Sequence, residues 1–306
     1  MDKNQNRVFL FFVDGLGIGD SDPEKNPCAD PEIKLFNQFK SDTFPKPVAF
    51  GGYACSPDAT LGVKGLPQSA TGQTTLLTGK NASELLGYHL PAFPNEKLRQ
   101  VIYKESILKK VTDAGKKAAF INAYTPIYFE LGPEKLRNRL SVTSHATLAS
   151  NFKFFSIDDM RQERSIYQEF TNKSLIEKGF NLPVFTPEKA GTILAYATEK
   201  YDFSLYEYFQ SDKAGHSRNF DRAKAELIKL ERVLTTVLNT LDLSRITVIF
   251  TSDHGNLEDL SVGSHTRNPA MTFVWGIQAK AVAGRLQSIQ DVEKEVLQLL
   301  NIQNTK

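Results

Sequence analysis

Short, mainly apolar runs recur along the chain, and each predicts a strand that is buried on both faces of a sheet. These runs are residues 8–13, 117–123, 202–209, 246–251 and 271–275. The first run ends at Asp14-Gly15, and a long polar, proline-containing loop follows it to about residue 46. The remaining runs are separated by longer stretches in which apolar residues recur with helical spacing.

Those longer stretches predict the helices. Residues 69–79 predict a turn that continues as a helix and stops at Gly79, and residues 96–114 predict a helix that ends at Gly115. Another helix begins after Thr186, with Thr186 as its N-cap and Pro187 at its first position. The last two predicted helices are residues 220–241 and 289–300. Strands that alternate with helices predict an α/β fold with a mainly parallel sheet flanked by helices.

Residues 124–185 interrupt this alternation. They are rich in aromatic and charged residues, and they contain one helical stretch at about 157–178. We therefore predict a core formed by residues 1–123 and 186–306. In this division, residues 124–185 form a small inserted lid or cap over one edge of the sheet.

Composition narrows the class of protein. The chain has 306 residues, 41% hydrophobic and 24% charged, as expected of a globular protein with a large core. A net charge of +2 gives no general attraction to nucleic acid or to a membrane surface. Cys28 and Cys55 form no C-x-x-C pair, which argues against a disulfide scaffold or a cysteine-built zinc site. No apolar run is long enough for a signal peptide or a membrane span, so we expect a cytoplasmic protein.

Two familiar motifs, the dinucleotide-binding loop and the serine-hydrolase motif, are not matched by this sequence. Gly15-Leu-Gly17-Ile-Gly19 follows a strand but has Asp20 where a dinucleotide-binding loop needs its third glycine. No G-x-S-x-G sequence surrounds Ser69, which disfavours an ordinary serine hydrolase.

Three aspartates, Asp14, Asp212 and Asp253, each lie at or just beyond the end of a predicted strand. In an α/β sheet the carboxyl ends of parallel strands share the edge where ligands bind. Carboxylates gathered there repel one another unless divalent cations intervene. Three of the five histidines fall in the same segments: His216, His254 and His265. Imidazole and carboxylate together suit zinc or manganese.

Each of these signals is weak alone. An Asp-Gly pair at a strand end is most often only a turn. Asp212 and His216, four residues apart, would also pair on the surface of a helix. All the segments occur together, in this order, among these strands, and that combination indicates a shared site.

Taken together, the segments resemble the metal-site motifs of the alkaline phosphatase superfamily. Segments 251–256 and 265–269 are most similar to cofactor-independent phosphoglycerate mutase and phosphopentomutase. The segment around Ser69, which leads to Thr78-Gly79, is closer to the phosphatases and nucleotide phosphodiesterases. The resemblance covers roughly residues 7–90 and 186–276 and implies an alkaline phosphatase-like core.

The resemblance also implies a residue-by-residue assignment of two divalent metal ions, zinc or manganese. One ion would be held by Asp14, Asp253 and His254, with the nucleophile Ser69 as its fourth ligand. The other ion would be held by Asp212, His216 and His265. A phosphoserine intermediate on Ser69 follows from this assignment. Lys213 and Arg267 are adjacent to ligands and are candidate contacts for the substrate.

Three functions remain open at this point. The first is a phosphohydrolase that acts on a small phosphorylated metabolite, as a monoester or a diester. The second is an intramolecular phosphomutase, although the cofactor-independent phosphoglycerate mutases have a much larger inserted domain than this chain can hold. The third is a non-catalytic metal-binding module, and the presence of Ser69 argues against it.

Overall fold

A computed structural model describes residues 6–303 of the protein. Within this range the chain forms one seven-stranded sheet and one two-stranded sheet. The strands of the larger sheet are β1 (Arg7–Val13), β2 (Lys46–Val48), β3 (Gly52–Cys55), β4 (Ala118–Phe120), β7 (Phe203–Tyr208), β8 (Ile246–Ser252) and β9 (Thr272–Trp275). The strands of the smaller sheet are β5 (Ala123–Tyr124) and β6 (Phe155–Ser156).

The α-helices lie between these strands and after them. They are α1 (Ser69–Thr78), α2 (Ala82–Leu86), α3 (Glu96–Glu105), α4 (Ile107–Asp113), α5 (Pro126–Leu136), α6 (Val142–Ala149), α7 (Ile157–Arg161), α8 (Lys173–Glu177), α9 (Pro187–Thr198), α10 (Gln210–Ser217), α11 (Phe220–Thr240), α12 (Ala279–Arg285) and α13 (Asp291–Leu299). Short 3₁₀ turns occupy Pro27–Ala29, Ala49–Gly51 and Arg137–Arg139.

The larger sheet has the order β2-β3-β9-β8-β1-β7-β4. Strands β8, β1, β7 and β4 run parallel, as predicted, but β9, β3 and β2 are joined to the sheet by antiparallel pairings. The α/β fold is confirmed, and the sheet is mixed rather than parallel throughout. A parallel neighbour requires a helical crossover to the far end of the sheet. The chain between β8 and β9 instead forms an irregular loop at the carboxyl edge, so β9 runs back beside β8.

The uninterrupted apolar run of β1 is explained by the burial of the strand on both faces of the sheet. Phe9 and Phe11 pack on one face of the sheet, in the hydrophobic cluster that includes residues of α9 and α11. Leu10 and Phe12 pack on the other face, with residues of α1, α3, α4 and α13. Successive side chains of a strand point to opposite faces, so a strand covered by helices on both sides buries every residue.

Several predicted elements differ in their bounds. The single helix predicted for 96–114 is two helices, because Ser106 has an extended ψ of 145° and is both the last cap of α3 and the first cap of α4. The predicted strand 117–123 gives only the three residues of β4, and Ala123 pairs in the smaller sheet. The last helix begins at Asp291, two residues later than predicted.

Residues 124–185 hold α5, α6, α7, α8 and strand β6. The predicted helical stretch 157–178 consists of the short helices α7 and α8, with irregular chain between them. Buried side chains of this segment, such as Ile157 and Phe170, belong to the cluster under α9 and α11, whereas Val142 belongs to the other cluster. Its role as a lid stays a prediction. Within residues 6–303, no helix is both long enough and apolar enough to cross a membrane.

Candidate metal centre

The parallel pairings bring the predicted ligands to one place. In the register of the sheet, Val13 lies opposite both Ser252 and Tyr208, so β8, β1 and β7 end at the same level. Asp14 and Asp253 are the next residues of their strands, and Asp212 lies in the first turn of α10, directly after β7. Gly15 allows the close approach of these segments, because a Cβ there would stand 2.7 Å from Asp212 Oδ1.

The first group of side chains, which we name the inner cluster, consists of Ser69, Asp14, Asp253 and His254. His254 Nε2 lies at its centre, 3.1 Å from Ser69 Oγ, 3.2 Å from Asp14 Oδ1 and 3.5 Å from Asp253 Oδ2. The side chains of His254 and Asp253 are fully buried, and that of Asp14 is 10% exposed.

The second group, the outer cluster, consists of Asp212, His216 and His265. The Nε2 atoms of the two histidines are 3.2 Å apart, and each is 3.4 Å from an oxygen of Asp212. The rings of His254 and His265 stack with centroids 3.8 Å apart, so the two clusters adjoin. A carboxylate oxygen of Asp212 also lies within 4.8 Å of ligand atoms of both Asp14 and His254. Asp212 therefore stands between the clusters.

All three histidines present the same nitrogen to the clusters. Their Nδ1 atoms face backbone carbonyl oxygens, at 3.3 Å from Gly255 for His254, 3.2 Å from Gly263 for His216 and 2.8 Å from Pro67 for His265. An Nδ1–H that donates to a carbonyl leaves the lone pair of Nε2 for a metal, which is how ligating histidines are usually held.

The donor atoms fit divalent cations. Bonds of about 2.0–2.2 Å to nitrogen and oxygen in a tetrahedral site separate neighbouring ligand atoms by roughly 3.3–3.6 Å. The separations within the outer cluster, and those from His254 Nε2 in the inner cluster, are 3.1–3.5 Å and close to that value. The inner residues whose ligand atoms all lie within 4.8 Å of one another are Asp14, Asp212 and His254, so this geometry favours Asp212 over Asp253 as a third ligand there. Asp14 Oδ1 and Asp253 Oδ2 are also buried without a hydrogen-bond donor among the described residues. Buried carboxylate oxygens without a donor are costly unless a cation neutralises them.

Electrostatics favour positive charge at the same atoms. Burial lowers the pKa of His254, but the carboxylates of Asp253 and Asp14 outweigh it and raise that pKa to about 10. Burial, with the nearby Asp14 carboxylate, raises the pKa of Asp253 well above its usual value. Both shifts indicate a site that gains stability from positive charge, either a proton or a metal cation.

Ser69 is placed by helix α1. It is the first residue of the helix, where backbone N–H groups have no preceding helical carbonyl to accept them. The helix stops at Gly79, as predicted, and Gly79 caps it with a left-handed φ of 65°. Gly72 lets the helix lie against the segment that carries Asp253 and His254, because a Cβ at Gly72 would stand 2.9 Å from the carbonyl oxygen of Asp253. Ser69 Oγ therefore lies at the inner cluster, at the start of the helix.

Two further residues support the clusters and were not singled out from the sequence. Gln73, one helical turn after Ser69, donates from Nε2 to Asp14 Oδ2 at 3.0 Å. Its i, i+4 relation to Ser69 was a usable signal. Asn256 donates from Nδ2 to Asp212 Oδ1 at 2.6 Å. Asn256 had been noted only as part of its motif.

Glu258 is the most connected of the residues that sequence reasoning missed. Its Oε2 accepts the N–H groups of Gly17 and Asn256, each at 2.8 Å. Its Oε1 accepts the hydroxyl of Thr266 at 2.5 Å and the amide of Asn268 at 2.9 Å. Glu258 is buried and joins the loops that follow Asp14, His254 and His265. No pattern in the sequence indicated this role.

A cavity of about 470 Å³ opens beside Ser69, Asp14 and Asp212. Lys213, a predicted substrate contact, lines it, with its Nζ 4.5 Å from the centre of the Phe209 ring. Arg139, from the segment 124–185, lines it as well and was not predicted. Arg267, the other predicted contact, is exposed, and its Nη1 donates to the carbonyl oxygen of Gly65 at 2.9 Å.

Comparisons with known proteins agree with this architecture. The chain is similar to the 2,3-bisphosphoglycerate-independent phosphoglycerate mutase of Ehrlichia canis (strain Jake), at 27% identity over 117 residues, which is 35% of this chain and 23% of that protein. The corresponding enzyme of Wolinella succinogenes is 31% identical over 124 residues, 39% of this chain and 25% of that protein. The chain thus spans about a quarter of the length of the curated relatives that it matches.

Among solved structures, the alkaline phosphatase of the Antarctic bacterium TAB5 has a similar fold, with a TM-score of 0.54 and 14% identity. That alignment covers 98% of this chain and 99% of the phosphatase. A family model described as the Metalloenzyme superfamily matches residues 6–304. The chain therefore belongs to the Metalloenzyme superfamily and has the fold of the alkaline phosphatases.

Proposed function

We propose that this protein is a metal-dependent phosphohydrolase that transfers the phosphoryl group of a small phosphate ester to Ser69 and then to water. The observation that supports the proposal most directly is the position of Ser69. Its Oγ lies at the start of α1, 3.1 Å from Nε2 of His254. His254 is buried beside the carboxylates of Asp14 and Asp253. This is the arrangement expected of a serine that is activated as a nucleophile.

We assign one divalent ion, zinc or manganese, to the inner cluster and a second to the outer cluster, with Asp212 close to both. Bound there, two cations would lower the pKa of the Ser69 hydroxyl and neutralise charge on the oxygens that enter and leave the phosphoryl group. The mixed imidazole and carboxylate donors suit these metals better than the all-oxygen sites that calcium and magnesium prefer.

The residues of the chain account for the remaining steps. The Ser69 hydroxyl gives up its proton to water, and Oγ forms a bond to phosphorus while the bond to the leaving alkoxide breaks. The alkoxide takes up a proton from water. The N–H groups of Ser69 and Ala70, the first two residues of α1, orient the phosphoryl oxygens. Lys213 and Arg139 attract the anionic ester into the cavity. A water molecule then attacks the phosphoserine, which releases phosphate and returns Ser69 as an alcohol.

A second candidate is an intramolecular phosphomutase. The observation in its favour is that the curated relatives in the matched segments are phosphoglycerate mutases. In a mutase the phosphoryl group of the phosphoserine returns to another hydroxyl of the same substrate instead of passing to water. The product distinguishes the two activities: free phosphate in one case, an isomeric phosphate ester in the other.

The deciding experiment compares Ser69→Ala with the unchanged protein, each loaded with zinc or with manganese. We expect Ser69→Ala to lose turnover by several orders of magnitude, because water must then attack the ester directly. Its metal content and melting temperature should stay close to those of the unchanged protein. Acid quenching during turnover, followed by mass spectrometry, should place the phosphoryl group on Ser69.

Thr71 provides the matched control. Its hydroxyl donates to the carbonyl of Gln68 at 3.1 Å and accepts from the N–H of Leu90 at 3.2 Å, so it is already engaged. Thr71→Ser keeps both bonds and should keep activity. Phosphate trapped on residue 71, or full activity in Ser69→Ala, would overturn the proposal. Bound metal without turnover of any ester would instead indicate a non-catalytic metal-binding module.

A further inference from the structure

The cavity beside Ser69 has walls that the transfer of a phosphoryl group does not itself require. At about 470 Å³ it lies within the range of pockets that enclose ligands of drug-like size. Aromatic side chains from separate parts of the chain line it, among them Phe93, Phe120, Tyr124 and Tyr167. Phe209 lines it too, next to Lys213.

Tyr124 is held in place by its own surroundings. Its ring packs against Tyr128 and Phe154, with both centroid distances 4.6 Å, and its hydroxyl is hydrogen-bonded to Ser144. Phe93 differs, because it is 46% exposed and lies at the surface of the cavity. Phe93 and Tyr124 both line the cavity and offer apolar faces on which a flat ring can stack.

The cavity also has a buried polar group, Glu207. Its Oε2 accepts the hydroxyl of Thr143 at 2.5 Å, and the residue lines the cavity. Its side chain is nearly inaccessible, at 6% exposure. A carboxyl group in the wall of a cavity can form hydrogen bonds with the nitrogen or hydroxyl groups of a bound ring.

We propose that this cavity binds the leaving group of the substrate and that the substrate is a phosphate monoester bearing a flat heteroaromatic group, such as a nucleoside 5′-monophosphate. The inference rests on the proposed function, since it presumes that Ser69 accepts the phosphoryl group. It adds the class of substrate. Lys213 and Arg139 serve the anionic end of any such ester, and the aromatic walls select the other end.

The test compares adenosine 5′-monophosphate with glycerol 1-phosphate. Both are phosphate monoesters of primary alcohols, so the intrinsic difficulty of breaking the ester bond is similar and the difference measures binding of the leaving group. Stacking of a base on an aromatic side chain contributes about tenfold or more to affinity. We expect kcat/KM for adenosine 5′-monophosphate to exceed that for glycerol 1-phosphate by at least about tenfold.

Phe93→Ala should reduce this preference by about tenfold, mainly through KM for the nucleotide. Phe129→Ala is the matched control: Phe129 is 48% exposed, against 46% for Phe93, and does not line the cavity. It should keep the full preference. Equilibrium binding of the two esters to Ser69→Ala provides a readout that does not depend on turnover, and it should show the same order.

The outcomes distinguish a wrong substrate class from a wrong enzymatic activity. Equal hydrolysis of both esters, with no effect of Phe93→Ala on their ratio, would overturn the inference and leave the phosphohydrolase intact. Release of phosphate from neither ester, nor from a panel of other monoesters and diesters, would overturn the phosphohydrolase and the inference with it.

Discussion

The inner and outer clusters contain similar donors but differ in their exposure. In the inner cluster the side chains of Asp253 and His254 are 0% exposed, whereas in the outer cluster Asp212 is 18% and His216 43% exposed. Burial raises the pKa of Asp253 well above its usual value. For Asp212 burial acts in the same direction, but hydrogen bonds and histidine charges outweigh it and lower the pKa to about 2.

The difference in burial changes how strongly each cluster depends on a bound cation. Water can solvate part of the outer cluster, so its charges depend less on a bound cation. The inner cluster has two buried carboxylate oxygens without donors, one on Asp14 and one on Asp253, and only positive charge compensates them. We therefore expect the inner ion to be held more tightly and the outer ion to exchange with solution more readily.

The largest effect should come from removing a ligand of the inner cluster. Asp253→Asn should reduce kcat/KM for a phosphate ester about a thousandfold or more, because a metal ion contributes several kcal/mol to such a transition state. His216→Ala should cost only about 10–100-fold and should retain the inner ion. Steady-state kinetics with elemental analysis of both variants measures the contrast. Equal loss of both ions from either variant would show that the clusters act as one site.

Glu258→Gln tests the residue that joins the loops of both clusters. The variant turns an amino group toward two of the four donors that Glu258 now accepts, so two hydrogen bonds to a charged group are lost. We expect the free energy of unfolding to fall by about 3–5 kcal/mol. Denaturant titration measures it, with the exposed Glu84→Gln as control. Both ions should bind more weakly, and selective loss of one would contradict the shared role.

The smallest effect concerns Glu207, which belongs to neither cluster. Burial, with a contribution from Asp14, raises its pKa from 4.5 to about 7, although the hydrogen bond from Thr143 opposes the shift. The folded state therefore favours the protonated acid. That contribution to stability is complete below pH 4.5 and is lost as the pH rises through 7, by up to about 3 kcal/mol in the free energy of unfolding.

Glu207→Gln should flatten this dependence on pH and should be more stable than the unchanged protein above pH 7. Denaturant titrations between pH 5 and 8, with the metals present and again with chelator, measure the slope. His216→Ala, which leaves Glu207 in place, should keep the slope of the unchanged protein. An unaltered slope in Glu207→Gln would assign the pH dependence to the clusters instead.

Much of the centre was predictable from the sequence because the relevant signals are local. An unbroken apolar run indicates a strand with two buried faces, and β1, β7 and β8 follow such runs. An aspartate after each of two of these strands, and one in the turn after the third, then lies on the shared edge if the strands are parallel. The end of α1 follows from Gly79, whose left-handed φ is favoured by the absence of a side chain.

Other features were decided only by the tertiary structure. The direction of β9 depends on the path of the loop before it. The position of Asp212 between the two clusters depends on hydrogen bonds between α10 and the segments after β1 and β8, from Ser211 to Asp14 and from Asn256 to Asp212. Arg139 and Tyr124 reach the cavity beside Ser69 although about 55–70 residues separate them from it in the sequence. Glu258 acquires its role from four donors on other loops. The sequence determined which chemistry is present; contacts between distant segments, which no local pattern encodes, decided how it is arranged.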